Sequence, residues 1–428
     1  MRLSLLGLLS GISAGAVIIL FRYIVEESQR YILPGNDPEN YEALSNWAIF
    51  ALPLLGGLIL GIIFHYIPPD KRQVGVVHTL EFMKKHKSRL PLANTLSQFV
   101  GAAISIICGH SVGREGPSIH LGAGSSSLVA SLFGTKESTR RVMIASGVAA
   151  AIAASFNTPI AGVIFALEII LLEYTVASMM PIILSASVAT LMSHQIFGDE
   201  AALRAPEIVS FTGFDYFGVI VNGIFIGLVA VIFIRLLLKT TTISKEYPIF
   251  WRMTAAGGIT GILALFAPEI MSLGYDTINM SFNDSLVLSA LIIILIFKVV
   301  ATAVGIGLGL PGGLIGPTLV IGAVGGAAFG IVFNELFGTT TSPAIYAMIG
   351  MGAMMSATLQ APLAALMAIF ELTNNPEIIL PGLLAIAAAS LTSSEILHQP
   401  SVFFALMQAR ETDQDITPTD NNSNQSKQ

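Results

Sequence analysis

The residues most able to do chemistry form one short stretch, Gly113-Arg114-Glu115-Gly116-Pro117. In so apolar a chain Glu115 is expensive to bury, which makes it a candidate functional residue by default. Glycines allow backbone N–H groups to approach a ligand, and Pro117 suits the first turn of a helix. A helix beginning here would direct unpaired N–H groups and its positive dipole end at an anion beside Glu115. The alternative is a surface loop with a solvated Arg–Glu pair.

The composition places this stretch in a membrane. The 428 residues are 54% hydrophobic and 11% charged, with a mean hydropathy of +0.76, whereas a soluble domain is about 25% charged. The apolar runs are too long and uniform for barrel strands, so the chain is predicted to be an all-α integral membrane protein. Cys108 is the single cysteine and excludes an internal disulfide. We predict no cofactor, no metal and no nucleic-acid partner.

The apolar segments run from residue 3 to residue 397 and differ in length. Several approach the roughly 20 residues that span a bilayer, while others, such as 361–372, are short and flanked by Gly or Pro. Such breaks are tolerated inside a membrane where they are buried or line an aqueous cavity. Segment 3–25 is interpreted as a membrane helix rather than a signal peptide. The basic loop 71–89 is predicted to be cytoplasmic, together with the N-terminus.

An internal repeat relates two halves, about 47–200 and 214–400. The matching landmarks keep one order at an offset of 200 to 203 residues: Gly116–Gly122 with Gly316–Gly322, Gly147 with Gly350, Asn157–Ala161 with Gln360–Ala364, and Glu168 with Glu371. Duplicated halves point to a transporter or channel whose site lies at the repeat interface. The equivalent positions of the two glutamates favour structural roles, such as holding loop N–H groups. Lys298, alone in an apolar run, is predicted to snorkel or to cap a carbonyl.

Four motifs together resemble the CLC family of chloride channels and chloride/proton exchangers, of the prokaryotic type: Gly113–Pro117, Leu310–Pro317, Gly147 through Pro159, and Phe370–Asn374. The likeness covers roughly residues 1–410, predicted as one membrane domain, with 411–428 as a disordered cytoplasmic tail. It implies two inverted halves of tilted and broken helices in the cell membrane. It also implies a homodimer with one anion pathway per subunit.

The resemblance also implies site residues. Glu115 resembles the gating glutamate, which occupies an anion site when ionised and leaves it when protonated. Residues 313–317 resemble an anion-binding loop. The implied anion contacts are Val74, Gly75, Gly113, Arg114, Gly116, Gly313, Leu314, Ile315, Gly316 and Phe403.

Three positions depart from the family pattern. The first anion motif usually reads Gly-Ser-Gly-Ile-Pro, but here Val74 replaces the serine and the proline is missing. Phe403 stands where an inner tyrosine is expected, with Val402 as the alternative after a one-residue slip. Exchangers often carry a glutamate directly after the position of Glu168, on the proton path, and here that residue is Ile169. These changes weaken the expected inner anion contacts and the expected proton coupling.

The favoured hypothesis is uncoupled or weakly proton-coupled movement of chloride-like anions. A strict chloride/proton antiporter, or a path for fluoride, nitrate or bicarbonate, stays open as an alternative. A cation-coupled transporter of organic anions would require clustered carboxylates or Asn, Thr and Ser ligands for sodium at the repeat interface, and the sequence offers no such cluster. An enzyme is not expected, because zinc-protease and nucleophile-elbow motifs are missing from the sequence.

Overall fold

The computed structural model describes residues 2–84, 89–199, 203, 213–283 and 285–416, and within them the regular elements are helices. The first half holds α1 (Arg2–Ile32), α2 (Asn46–Tyr66), α3 (Gly75–Lys84), α4 (Leu92–Ile107), α5 (Glu115–Leu132), α6 (Glu137–Phe156), α7 (Pro159–Phe165) and α8 (Val176–Phe197). The second half holds α9 (Gly213–Ser244), α10 (Ile249–Ala264), α11 (Tyr275–Phe282), α12 (Leu288–Gly307), α13 (Ile315–Phe337), α14 (Pro343–Leu359), α15 (Pro362–Thr373), α16 (Ile379–Ser390) and α17 (Val402–Ile416). The predicted all-α inverted repeat is confirmed.

The repeat appears as two helix pairs that pack by the same close backbone contact. In the first half a Cβ built on Gly122 of α5 would overlap the carbonyl oxygen of Gly147 on α6. In the second half a Cβ on Gly322 of α13 would overlap the carbonyl oxygen of Gly350 on α14. Helices in lipid associate through small residues that allow close approach, so the glycines matched in sequence do the same work in each half.

The two halves also break their helices in the same way. The helices α6 and α14 end in left-handed residues, Asn157 at φ 59° and Gln360 at φ 56°. One non-helical residue follows each, and α7 and α15 then begin at Pro159 and Pro362. Proline at the first helical position loses no hydrogen bond, so the chain restarts a helix at membrane depth without an extra unpaired donor.

Seven helices of the described residues are long and apolar enough to cross a membrane: Arg2–Ile32, Asn46–Tyr66, Val176–Phe197, Gly213–Ser244, Leu288–Gly307, Ile315–Phe337 and Pro376–Ile396. Of these, α13 is the most enclosed, with 83% of its apolar window buried. It therefore lies at the centre of the molecule, where its N-terminus is shielded from lipid.

One boundary prediction needs correction. The helix α17 extends through Ile416, six residues into the segment predicted as a disordered tail from residue 411. Residues 417–428 lie outside the described part of the chain.

The glycine contacts predict which substitutions destabilise the fold. Gly322→Ala should lower stability by about 1–3 kcal/mol, because its methyl group overlaps backbone that cannot rotate away. Gly258→Ala, on α10, is the matched control, since its methyl group would meet only Leu54 Cδ1 at 3.8 Å. Thermal unfolding in detergent measures the difference, and equal melting temperatures for the two variants would contradict the packing argument.

Candidate functional site

The two glycine motifs of the repeat meet backbone to backbone. Gly113 N–H donates to the Gly313 carbonyl over 2.8 Å, and Gly313 N–H donates back to the Gly113 carbonyl over 2.7 Å. A Cβ on Gly116 would lie only 2.8 Å from the Gly313 Cα, so a side chain at that position would force the loops apart. This bridge brings the N-termini of α5 and α13, from opposite halves, into contact.

Both helix N-termini begin without a side-chain cap. The flanking residues are Arg114 before α5 and Leu314 before α13, and neither caps its helix. The first N–H groups of a helix lack intrahelical partners, and each helix start carries roughly half a positive charge. Two such starts facing each other form a place where a negative group is stabilised by dipoles alone.

The carboxylate of Glu115 occupies that place. The residue is 3% exposed, and the N–H groups of Glu115 itself and of Gly316 face the carboxylate. A Cβ on Gly316 would lie 2.7 Å from Oε1, so the carboxylate rests directly on the α13 backbone. The Tyr275 hydroxyl donates to Oε1 over 3.1 Å, while Oε2 has no hydrogen bond of normal geometry among the described residues.

Arg114 lies on the outer side of this site, where it lines an outer cavity. Its guanidinium pairs with Glu26 on α1, with Nη1 to Oε1 at 3.2 Å. It also lies 4.8 Å from the ring centre of Phe156 and 5.4 Å from that of Tyr275. Arg114 is thus committed to Glu26 and two aromatic faces, and it adds a positive field beside Glu115 rather than an ion pair with it.

An inner cavity of about 480 Å³ reaches the helix starts from one side. Six of the predicted anion contacts line it: Val74, Gly75, Gly116, Gly313, Leu314 and Phe403. Three arginines, Arg72, Arg252 and Arg410, line it as well, together with Glu81, which pairs with Arg410 over 3.7 Å. Arginines lining a cleft raise the local concentration of anions. Val74 and Phe403, however, bring no hydroxyl donor to it.

An outer cavity of about 360 Å³ approaches from the other side and is lined by Arg22, Glu26, Glu39, Arg114, Tyr275 and Asp276, among others. Glu115 lines neither this cavity nor the inner one, within the described part of the chain. The buried carboxylate therefore lies between two solvent-facing cavities. Of the other predicted contacts, Ile315 faces a small apolar cavity beside Glu115.

Glu168 and Glu371 each accept hydrogen bonds from the start of a helix in the other half of the chain. Glu168 accepts hydrogen bonds from the N–H groups of Leu363 (3.3 Å) and Ala364 (2.8 Å), at the start of α15. Glu371 accepts from Ile160 (2.9 Å) and Ala161 (2.7 Å), at the start of α7. Each carboxylate satisfies the orphan donors of the other half, which is the structural role that their equivalent positions predict.

The predicted proton-path position lies in a second inner cavity, of about 710 Å³. Glu168, Ile169 and Phe403 all line it. Ile169 cannot bind a proton, and both Glu168 oxygens already accept N–H groups. The structure thus brings these three predicted residues together at one cavity. The one carboxylate among them, that of Glu168, is already hydrogen-bonded to the start of α15.

A cluster of carboxylates covers the outer end of α11. Glu39 accepts the N–H of Asp276 over 3.2 Å. Burial, and then the nearby Asp276 carboxylate, raises the pKa of Glu39 and of Glu42 to about 8. Both residues lie in the loop between α1 and α2, outside the membrane-spanning helices. Protonation of Glu39 and Glu42 therefore favours the folded loop that packs over α11.

Sequence reasoning missed Tyr275 and the arginines of the inner cavity. Tyr275 lies 160 residues from Glu115 in the sequence, and only a polar break between two apolar segments marks it. Arg252 was accessible to the argument used for Glu115, because it is a single charge in an apolar run. Lys298 caps carbonyl groups, as predicted, donating to Ile270 (2.8 Å) and Ser272 (3.1 Å).

Comparison with known sequences finds similar proteins over most of the chain. A family model described as voltage gated chloride channel matches residues 56–394. A Ralstonia nicotianae protein named by its likeness to the chloride channel protein ClcB is 29% identical over 411 residues, covering 94% of this chain and 95% of the relative. The H(+)/Cl(-) exchange transporter ClcA of Vibrio parahaemolyticus is 29% identical over 313 residues, 71% of this chain and 67% of the relative.

Solved structures share the fold. A slow cyanobacterial Cl−/H+ antiporter matches with a TM-score of 0.84 and 24% identity, covering 97% of this chain and 99% of that one. A CLC-type fluoride/proton antiporter matches with a TM-score of 0.80 and 23% identity, covering 94% and 97%. At these identities the likeness establishes the arrangement of helices and no more.

The outer carboxylates predict a pH-dependent loop. A folded-state pKa of about 8 against 4.5 means that the folded loop binds more protons between these values, so its stability falls as pH rises through that window. Hydrogen exchange of residues 37–45, corrected for intrinsic rates, should show protection falling from about pH 5 to about pH 8. Glu42→Gln should flatten this pH dependence. Glu27 is exposed and pairs with Arg30, so Glu27→Gln should leave the pH dependence unchanged. Equal slopes in the wild type and Glu42→Gln would contradict the assignment.

Proposed function

The chain belongs to the CLC family of voltage-gated chloride channels and exchangers, and from that membership we propose that Glu115 gates the passage of small monovalent anions such as chloride. As a member of this family the protein is a multi-pass anion-transport protein of the cell membrane and not an enzyme. The gating residue, the anion and the degree of proton coupling are the parts that we propose. We also propose, on the family resemblance, that it works as a homodimer.

One observation carries the proposal: the Glu115 carboxylate rests where two helix N-termini meet. The N–H groups that hold a carboxylate can equally hold a halide, because both are single negative charges stabilised by backbone donors. The ionised side chain thus fills the site and blocks the path between the inner and outer cavities. A protonated side chain loses its charge and is no longer favoured there, so an anion replaces it.

The lining of the inner cavity supports rapid passage rather than tight binding. Its arginines attract anions to the mouth, while the site itself holds them through partial charges only. Conduction requires binding that is favourable enough for entry and weak enough for release. Val74 and Phe403 add no hydroxyl donor on the inner side, which further shortens the stay of the anion.

The surroundings of Glu115 support uncoupled or weakly coupled conduction. Toward the starts of α7 and α15, Glu115 faces a cavity of about 40 Å³ whose walls are largely apolar, including Phe156, Leu319 and Met355. Buried water needs two to four polar partners, so a chain of water molecules is not favoured there. Beyond it, Ile169 offers no proton site. A proton leaving Glu115 inward would therefore cross an apolar gap.

The first functional prediction concerns the gate. In liposomes, wild-type anion flux should rise as pH falls, by up to about tenfold per pH unit for one titrating carboxylate. Glu115→Gln, which mimics the protonated form, should give high flux that is nearly independent of pH. Glu335→Gln, at the exposed far end of α13, is the matched control and should keep the wild-type profile. A full pH response in Glu115→Gln would show that another group is the gate.

The second concerns coupling. Under a chloride gradient, wild-type liposomes should show chloride flux without uphill proton uptake, and Ile169→Glu should leave this unchanged, because the apolar gap beside Glu115 remains. Ile169→Gln controls for the shape of the new side chain. Proton pumping at a fixed stoichiometry in the wild type would establish a strict exchanger instead. The same assay with fluoride, nitrate and bicarbonate decides the anion, since the chain's fold is shared with a CLC-type fluoride/proton antiporter.

A further inference from the structure

Tyr275 is the one side chain in the described residues that the structure shows hydrogen-bonded to Glu115. Its hydroxyl donates to Oε1 over 3.1 Å, and both residues are buried. A phenol hydroxyl stabilises an ionised carboxylate more than a neutral one, because hydrogen bonds to charged groups are the stronger kind. The contact thus favours the state in which the carboxylate fills the site.

The ring of Tyr275 also separates Glu115 from the outer cavity. Tyr275 lines that cavity, whereas Glu115 does not. The ring lies under the Arg114 guanidinium, 5.4 Å from Cζ to ring centre, and 6.4 Å from the Phe156 ring. An anion entering from the outer cavity would therefore meet the tyrosine ring before it reached the carboxylate.

The start of α11 is built to hold this ring still. Gly274, at φ 78°, turns the chain so that the helix begins at Tyr275 itself. Lys298 fixes the preceding turn through the carbonyls of Ile270 and Ser272. Glu39 holds the next N–H, that of Asp276. Tyr275 is thus pre-positioned by contacts on both sides, so its hydroxyl needs no reorganisation to bind the carboxylate.

We propose that Tyr275 is an outer latch, a positioning residue whose hydroxyl holds the Glu115 carboxylate in the closed position and whose ring covers it on the outer side. The proposal rests on Glu115 being the gate. The two sides of the site differ in this respect. Phe403 brings no hydroxyl to the inner side, while Tyr275 brings a phenol hydroxyl from the outer side.

Other titratable groups face this pair, and the latch has to act in their presence. Arg114 comes from the start of α5, Arg22 and Glu26 from α1, Glu39 from the outer loop, Asp276 from α11 and Lys298 from α12. A tyrosine-to-phenylalanine change leaves all six in place and keeps the ring under Arg114. Its effect therefore isolates the hydroxyl.

The test is a flux-against-pH series in liposomes for the wild type, Tyr275→Phe, Glu115→Gln and the double variant. In Tyr275→Phe the pH of half-maximal flux should rise by about one unit, so that flux above the midpoint increases about tenfold. In the Glu115→Gln background the same change should add nothing, because the latch has no carboxylate to hold. Tyr346→Phe, a buried tyrosine on α14 packed on Phe329 and Phe333, should behave as the wild type.

An infrared titration of the lipid-reconstituted protein measures the latch without transport. The band of the protonated Glu115 carboxyl, identified by its loss in Glu115→Gln, should appear at a higher pH in Tyr275→Phe than in the wild type. An unchanged midpoint would overturn the latch, and so would an equal gain of flux in the Glu115→Gln background. A wild type that moves no anion would overturn the proposed function instead, and the infrared midpoint would then decide the latch alone.

Discussion

Unpaired backbone donors in a place without bulk water are the constraint on which this structure depends. Two helices must begin at the centre of the molecule, since the bridge between Gly113 and Gly313 joins their starts. Each start leaves N–H groups that lipid cannot satisfy. The chain meets this demand with the Glu115 carboxylate, which faces N–H groups at both starts and which, under the proposed gating, an anion would replace.

The two halves of the chain share the same packing contacts, but only one half carries an ionisable side chain at the site. The bridging glycines, the packed glycines and the exchanged carboxylates of Glu168 and Glu371 repeat in both halves. At the offset that aligns Gly116 with Gly316, Glu115 corresponds to Ile315. One half thus supplies the ionisable side chain, and the other supplies a helix start with no ionisable side chain of its own. Two glutamates at this point would repel each other in a low dielectric, which is a physical reason for the asymmetry.

Sequence alone predicted the scaffold well, because its signals are local and duplicated. The prolines after each helix break, the glycines at the packed faces and Glu115 between glycines could all be recognised without knowing what they touch. Tyr275 was missed because its role depends on its position in space rather than on a motif, whereas Arg252 could have been recognised as a single charge in an apolar run. Tyr275 joins Glu115 across 160 residues. The end of α17 was misplaced for the opposite reason: the polar composition after Arg410 predicts disorder, yet the helix runs on to Ile416.

The distribution of charge explains how such a site can attract anions and still release them. Arginines stand at the two mouths, with Arg72, Arg252 and Arg410 on the inner side and Arg114 on the outer side. Acidic residues stand beside them, Glu81 in the inner cavity and Glu26, Glu39 and Asp276 in the outer one. Between the two mouths the anion would meet dipole ends, whose partial charges hold it more weakly than a lysine or arginine would. Arg114 is kept from becoming a trap because Glu26 neutralises it at 3.2 Å and aromatic rings cover its faces. A free guanidinium at that point would bind the arriving anion, or Glu115 itself, too firmly for the carboxylate and the anion to exchange places. Under the proposed function, the Glu26 partner is therefore as much a condition for anion passage as the helix starts are.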